Sequence, residues 1–109
     1  MEFEIKNNNV LVYQKQQSSS EFFKLFESNY TQFQTKNIIL SIDESQIIEK
    51  DFINTILKYT KSHQNNKQSF VVVAPWSQND ISEEIVCVPT LQEAFDLIEM
   101  DEMQRDLGF

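Results

Sequence analysis

Two short apolar runs, with a helical pattern between them, constrain the fold of this chain most strongly. Residues 38–42 and 70–74 carry no charge and consist mostly of aliphatic side chains, and Pro75 ends the second run. Such runs are typical of strands that are covered on both faces of a sheet. A helix is predicted to begin near residues 49–51, so the two strands should run parallel, joined by a right-handed crossover.

This helix has an apolar stripe that we expect to face the sheet. The stripe repeats at helical spacing and consists of Phe52, Ile53, Ile56, Leu57 and Thr60. The polar segment 62–67 is predicted to end the helix, and it contains the only histidine of the chain, His63.

An antiparallel hairpin is predicted at the start of the chain. Residues 2–6 alternate polar and apolar side chains, as a half-exposed strand does, and residues 10–14 form a second apolar run. Asn7, Asn8 and Asn9 lie between them, and asparagine tolerates the positive φ angles of tight turns.

Two capping boxes mark the starts of the first and last helices. Ser18 is followed by Glu21, and Thr90 is followed by Glu93. The first helix has a broad aromatic face, which we expect to pack on the sheet: Phe22, Phe23, Phe26, Tyr30 and Phe33. The last helix should pack through Leu91, Ala94, Phe95 and Ile98 and end near Leu107 and Gly108.

The predicted order is therefore β-β-α-β-α-β-(turn)-β-α, in one domain that spans residues 1–109. The turn, near residues 81–84, is predicted to be a short helical one, and residues 85–88 form the last strand. This order predicts an α/β fold with a five-stranded, mostly parallel mixed sheet.

Charge indicates the kind of partner. The net charge is −8, from 17 acidic and 9 basic residues, and a surface of this sign repels nucleic-acid phosphates and anionic membranes. We therefore expect a protein partner, no nucleic acid and no membrane. The single cysteine and the absence of a signal peptide or a long apolar stretch favour a cytoplasmic location.

The residues that support most catalytic sites are scarce. Gly108 is the only glycine, which excludes a glycine-rich phosphate loop. His63 has no His or Cys neighbours for a metal site, and Cys87 lies within an apolar strand, where an inert thiol is expected. We predict no catalytic residues, no metal and no cofactor. The acidic residues of the last helix are expected to form a solvated face: Glu93, Asp96, Glu99, Asp101, Glu102 and Asp106.

The order of elements resembles the STAS family, the fold of bacterial anti-sigma factor antagonists. In that family an opening hairpin precedes alternating helices and strands, and the helix after the third strand begins with a regulatory serine. Residues 39–53 are similar to that region. Glu49 falls on the acidic position of the family, and Lys50 falls on the position of the serine. A shift of one residue would place Asp51 on the serine position instead. Because neither side chain accepts a phosphoryl group from a serine kinase, the resemblance implies a partner face without the phosphorylation switch.

The resemblance implies a signalling or transcription-control role through a protein partner, such as an anti-sigma factor-like kinase. The residues expected to meet it are Asp43, Glu44, Ser45, Glu49, Lys50, Asp51 and Trp76. Glu49 and Asp51 are also simply favourable in the first turn of a helix. Trp76, at the carboxyl end of a predicted parallel strand, either anchors an interface or covers the rim of the core.

Two alternatives remain open. The segment from Glu99 to Leu107 resembles short bacterial proteins, some of which carry a ribonuclease Z label. This resemblance implies a small hydrolase or an RNA-processing accessory protein. A single histidine is too few for the metal site that such an enzyme needs. The second alternative is a structural homodimer. Met100, Met103, Leu107 and Phe109 lie on a face rotated away from the inner stripe, which either a bent sheet edge or another chain covers.

Overall fold

The computed structural model describes residues 1–15, 18–42, 50–76 and 81–108. It contains the predicted order of strands and helices. The elements are β1 (Glu2–Lys6), β2 (Asn9–Tyr13), α1 (Ser19–Phe33), β3 (Asn37–Ser41), α2 (Lys50–Asn65), β4 (Phe70–Val73), β5 (Val86–Val88) and α3 (Leu91–Asp106).

The five strands form one mixed sheet in the order β1-β2-β3-β4-β5. β1 pairs with β2 in the antiparallel direction, while β2, β3, β4 and β5 run parallel to one another. Asn7, in the hairpin turn, has a φ of 55°, in the left-handed region that asparagine tolerates. The predicted α/β class and the mostly parallel five-stranded sheet are confirmed.

One face of the sheet is covered by α1 and α2. Alternate strand residues point to this face and are almost fully buried: Val10, Val12, Ile38, Leu40, Phe70 and Val72. The aromatic side chains of α1 pack on them, with Phe22, Phe26 and Phe33 at 0% exposure, as the helical spacing predicted. Ser18 caps α1, since its Oγ accepts a hydrogen bond from the backbone N–H of Glu21 at 3.2 Å.

Among the described elements, α3 alone covers the opposite face. Leu11, Ile39 and Val71 point to this face and form a second, smaller core with Ala94 and Ile98. The central strands are therefore buried on both sides, which explains their almost continuous apolar sequences. The result is a three-layer sandwich with two helices above the sheet and one below it.

The main difference from the sequence prediction lies in the last turns of α2. The helix ends at Asn65, within the polar segment 62–67 that the sequence predicts to end it, but its buried face extends beyond the predicted stripe. His63 and Tyr59 belong to its buried face, together with Phe52, Ile56 and Thr60. The predicted short helical turn near residues 81–84 is instead a tight turn in which the N–H of Ile85 donates to the carbonyl of Ser82 at 3.1 Å.

Within the described residues, no helix combines the length and the apolar character that crossing a membrane requires.

Candidate functional site

The first candidate surface lies at the start of α2 and is called the α2 surface; its described members are Lys50, Asp51 and Trp76. Lys50 and Asp51 open the helix and are both exposed. The carboxylate of Asp51 suits this position because a helix N-terminus carries partial positive charge. The other predicted members, Asp43, Glu44, Ser45 and Glu49, lie outside the described residues.

Trp76 is held against this helix start by an aromatic contact. Its ring meets Phe52 edge-to-face, with centroids 5.8 Å apart, and Phe52 itself is only 3% exposed. Trp76 is half-buried and packs against the larger core, so part of the indole covers the rim of the core and part faces solvent. The structure thus brings Trp76 next to the first turn of α2, although the two are far apart in sequence.

A groove of about 430 Å³ runs between α1 and α2 from this point. Asp51 and Phe52 line the end nearest Trp76, and Lys24, Glu27 and Lys58 contribute charges of both signs along its length. Its floor includes Phe23, which contacts Phe52 with ring centroids 5.0 Å apart. The groove therefore offers an aromatic floor with a charged rim, a combination suited to a protein segment.

The second candidate surface lies on the C-terminal half of α3. Met100, Met103 and Leu107, called the methionine face, are 56%, 59% and 72% exposed. They recur at i, i+3 and i+7, so they line one side of the helix. The sequence leaves open whether a bent sheet edge or another chain covers this face. Because these three side chains are exposed, the sheet edge does not cover them. Phe109, also predicted to belong to it, lies outside the described residues.

The side of α3 that faces inward in this half is polar, and its side chains surround the buried Asn37. The amide group of Asn37 is at 0% exposure and makes four hydrogen bonds. Its Nδ2 donates to Asn9 Oδ1 at 3.0 Å and to Glu102 Oε1 at 2.6 Å. Its Oδ1 accepts from the backbone N–H of Ser69 at 2.9 Å and from Arg105 Nη2 at 3.2 Å.

Ser69 extends this polar cluster to a second carboxylate. Ser69 Oγ donates to Asp101 Oδ2 at 2.7 Å and accepts from Arg105 Nη1 at 3.2 Å. The prediction that Asp101 and Glu102 belong to a solvated acidic face is therefore wrong. Both are half-buried and bind the amino ends of β3 and β4, whereas Glu93, Asp96, Glu99 and Asp106 are exposed as expected.

In its C-terminal half α3 turns polar side chains towards the sheet and apolar side chains towards solvent. The hydrogen bonds that join Asn37 and Ser69 to α3, called the polar cluster, explain this inverted orientation. The residues in phase with Ala94 and Ile98 are Asp101, Glu102 and Arg105, which satisfy polar groups where the parallel strands begin. The apolar side chains of the same half are consequently directed outward. An open groove of about 510 Å³ lies beside this end of α3, lined by Val71, Val86 and Arg105 among others.

His63 is a structural residue that links three parts of the fold. It is at 0% exposure; its Nε2 lies 2.8 Å from the carbonyl oxygen of Lys36, and its Nδ1 lies 2.7 Å from the hydroxyl of Tyr30. A carbonyl oxygen only accepts, so Nε2 carries the proton and Nδ1 accepts from Tyr30. Burial lowers the pKa of His63, against a smaller opposing effect of the Lys36 carbonyl.

Cys87 is half-buried in β5, and its Sγ lies 3.7 Å from the carbonyl oxygen of Ala74. Burial raises the pKa of this thiol, the opposite of what a nucleophilic cysteine needs. In the part of the chain that the structure describes, His, Cys, Asp and Glu side chains form no group of three or more that could hold a metal ion.

Sequence reasoning missed Asn37, Ser69 and Arg105, and it missed the inward role of Asp101 and Glu102. The helical phase of α3 carried a signal for three of them, because Asp101, Glu102 and Arg105 continue the stripe of Leu91, Ala94 and Ile98. No comparable signal marks Asn37 or Ser69, whose side-chain partners lie 28 to 68 residues away in sequence.

Fold and surfaces together define an α/β protein of three layers, with one charged aromatic surface at the start of α2 and one exposed apolar face on α3. The chain matches no protein-family model, and no curated protein matches it either.

Proposed function

We propose that this protein is a non-enzymatic protein-interaction module of the STAS type, which acts in signalling or transcription control by binding a protein partner through the α2 surface. The partner expected from the STAS resemblance is an anti-sigma factor-like kinase. The proposal places the protein in the cytoplasm, where the lone Cys87 would stay reduced.

The observation that carries the proposal is the contact between Trp76 and Phe52, at 5.8 Å between ring centroids. It fixes a half-exposed indole beside the exposed charges of Lys50 and Asp51. Tryptophan is enriched among the residues that dominate binding energy at interfaces. Trp76 also follows β4 at the carboxyl edge of the parallel strands, where open α/β sheets bind their ligands.

The fixed charges of α2 support a partner surface without a phosphorylation switch. A phosphoserine at a helix N-terminus adds about two negative charges and so alters what the surface attracts. Here the corresponding positions are Lys50 and Asp51, and Asp51 supplies one permanent negative charge. We therefore propose a module that binds constitutively and is controlled through its abundance or its partner.

Charge reversal tests the α2 surface. Cells producing the tagged wild-type chain or the variant Asp51→Lys with Glu49→Lys would be compared by quantitative affinity purification. The expected result is a protein that co-purifies with the wild type and is lost from the variant, while circular dichroism shows an unchanged fold. A control with the same total charge reversal, Glu2→Lys with Glu4→Lys, lies on β1 and should retain that protein. Equal recovery by both variants would refute the α2 surface.

A further inference from the structure

We infer that the methionine face is a second docking surface, and that its occupant is a cationic amphipathic helix of a partner protein. The inference is independent of the α2 surface, because it depends on α3 alone. Three apolar side chains along one side of a helix match the spacing by which amphipathic helices bind each other. Two of the three are methionines, whose flexible side chains adapt to partner surfaces of different shape.

The charges around this face determine which helix fits. α3 contains six acidic residues and a single arginine. Arg105 is half-buried and donates to Ser69 and Asn37, so it does not neutralise the outer side. The exposed charges of α3 are therefore all negative, and they belong to Glu93, Asp96, Glu99 and Asp106. A partner helix with lysine or arginine beside its apolar stripe complements this rim.

A second copy of the chain fits less well. Three side chains exposed to this degree present on the order of 300 Å² of apolar surface, whereas a stable dimer buries about 800 Å² on each partner. The remaining area would have to come from the acidic rim. Pairing α3 with α3 of another copy would bring together two helices whose exposed charges are all negative, which is unfavourable.

A designed peptide can replace the unknown partner in the test. The probe is a fluorescent helical peptide of leucine and lysine with one apolar stripe, titrated by anisotropy. It is compared with a peptide of the same composition in scrambled order and with a leucine–glutamate counterpart. The wild type should bind the first peptide at least about tenfold more tightly than either control, and added salt should weaken the binding.

Variants locate the binding on the surface. Met100→Ser with Met103→Ser should weaken binding of the leucine–lysine peptide by about tenfold or more, since it removes two apolar contacts. The control Leu25→Ser removes one apolar side chain, 41% exposed on α1, and it should leave the affinity unchanged. Because these side chains are exposed, both variants should keep the wild-type circular dichroism spectrum.

The three methionines supply a second readout that needs no substitution. With ¹³C-labelled methionine methyl groups the protein gives signals from Met1, Met100 and Met103 only. Adding the peptide should shift the signals of Met100 and Met103. The signal of Met1 should not move, because Met1 packs against the larger core on the opposite side of the sheet.

Two results would overturn the inference. One is peptide binding that neither shifts the signals of Met100 and Met103 nor weakens in the double serine variant, which would place the peptide elsewhere. The other is a light-scattering mass of twice 12.9 kDa that returns to the single-chain value in that variant, which would make a second copy the occupant.

Discussion

Replacing Asn37 with alanine tests the polar cluster that fixes the orientation of α3. The substitution deletes four hydrogen bonds of a side chain at 0% exposure. The backbone N–H of Ser69, a residue only 5% exposed, is left without this acceptor, at a cost of about 1–3 kcal/mol. Glu102 and Arg105 are half-buried and can rehydrate, so each lost bond there costs about 1 kcal/mol.

The expected destabilisation of Asn37→Ala is therefore about 3–5 kcal/mol, a large part of the roughly 5–15 kcal/mol that stabilises a domain of this size. Near the unfolding temperature it corresponds to a decrease in Tm of about 12–20 °C. Urea unfolding followed by the fluorescence of Trp76, the only tryptophan, measures the free energy, and circular dichroism measures Tm.

Asn54→Ala is the matched control, because Asn54 is exposed in α2 and the chemical change is the same. It should change stability by less than about 0.5 kcal/mol, and the higher helix propensity of alanine favours a small gain. A destabilisation below about 1 kcal/mol for Asn37→Ala would mean that the hydrogen bonds around Asn37 do not hold the polar side of α3 against the sheet.

Three further predictions concern buried polar groups. Because the folded state lowers the pKa of His63, the unfolded chain takes up a proton below pH 6.5 that the folded chain does not, so stability should fall between pH 7 and pH 5. The variant His63→Gln should show a shallower dependence in urea unfolding over that range, and an equally steep one would contradict this. Thr60→Val should stabilise the protein by about 1 kcal/mol in the same assay, since the buried Thr60 Oγ1 makes no hydrogen bond within the described residues. A loss of stability would show that the hydroxyl has a hydrogen-bond partner. Cys87 should react with a disulfide reagent at pH 8 several-fold more slowly than free cysteine, because burial raises its pKa, and a faster reaction would mean an activated thiol.

Local signals in the sequence predicted most of the fold. Uncharged apolar runs identify the central strands because those strands are buried on both faces, and Ser18 and Thr90 mark helix starts because a cap depends on residues only three positions apart. These patterns depend on neighbours in the chain, so a single sequence is enough to find them.

Side chains whose roles depend on distant partners could not be predicted in the same way. His63 stands in a polar stretch, and its hydrogen bonds with Tyr30 and Lys36, from elsewhere in the chain, make its burial favourable. The helical phase from Ile56 through Tyr59 to His63 was available, but the polar neighbours outweighed it. Asp101 and Glu102 were placed in solvent for the same reason, because their partners at the amino ends of β3 and β4 become neighbours only on folding.

Of the candidate sites, the sequence predicted the individual members of the α2 surface and of the methionine face but not their surroundings. The position of Trp76 beside the first turn of α2 depends on where β4 ends relative to α2, the helix that lies between β3 and β4 in the chain. That the methionine face is uncovered depends on the polar cluster beneath it. Both are properties of packing rather than of local pattern.

Site-specific photocrosslinking in living cells is the most direct test of partner binding at the α2 surface. A photoreactive amino acid would replace Asp51 in one strain and, as control, Glu4 in another. If the α2 surface binds the partner, illumination joins a discrete partner protein to the chain at position 51 and leaves the chain uncrosslinked at position 4. Illumination that yields no crosslinked product at position 51, or the same product at both positions, would contradict it.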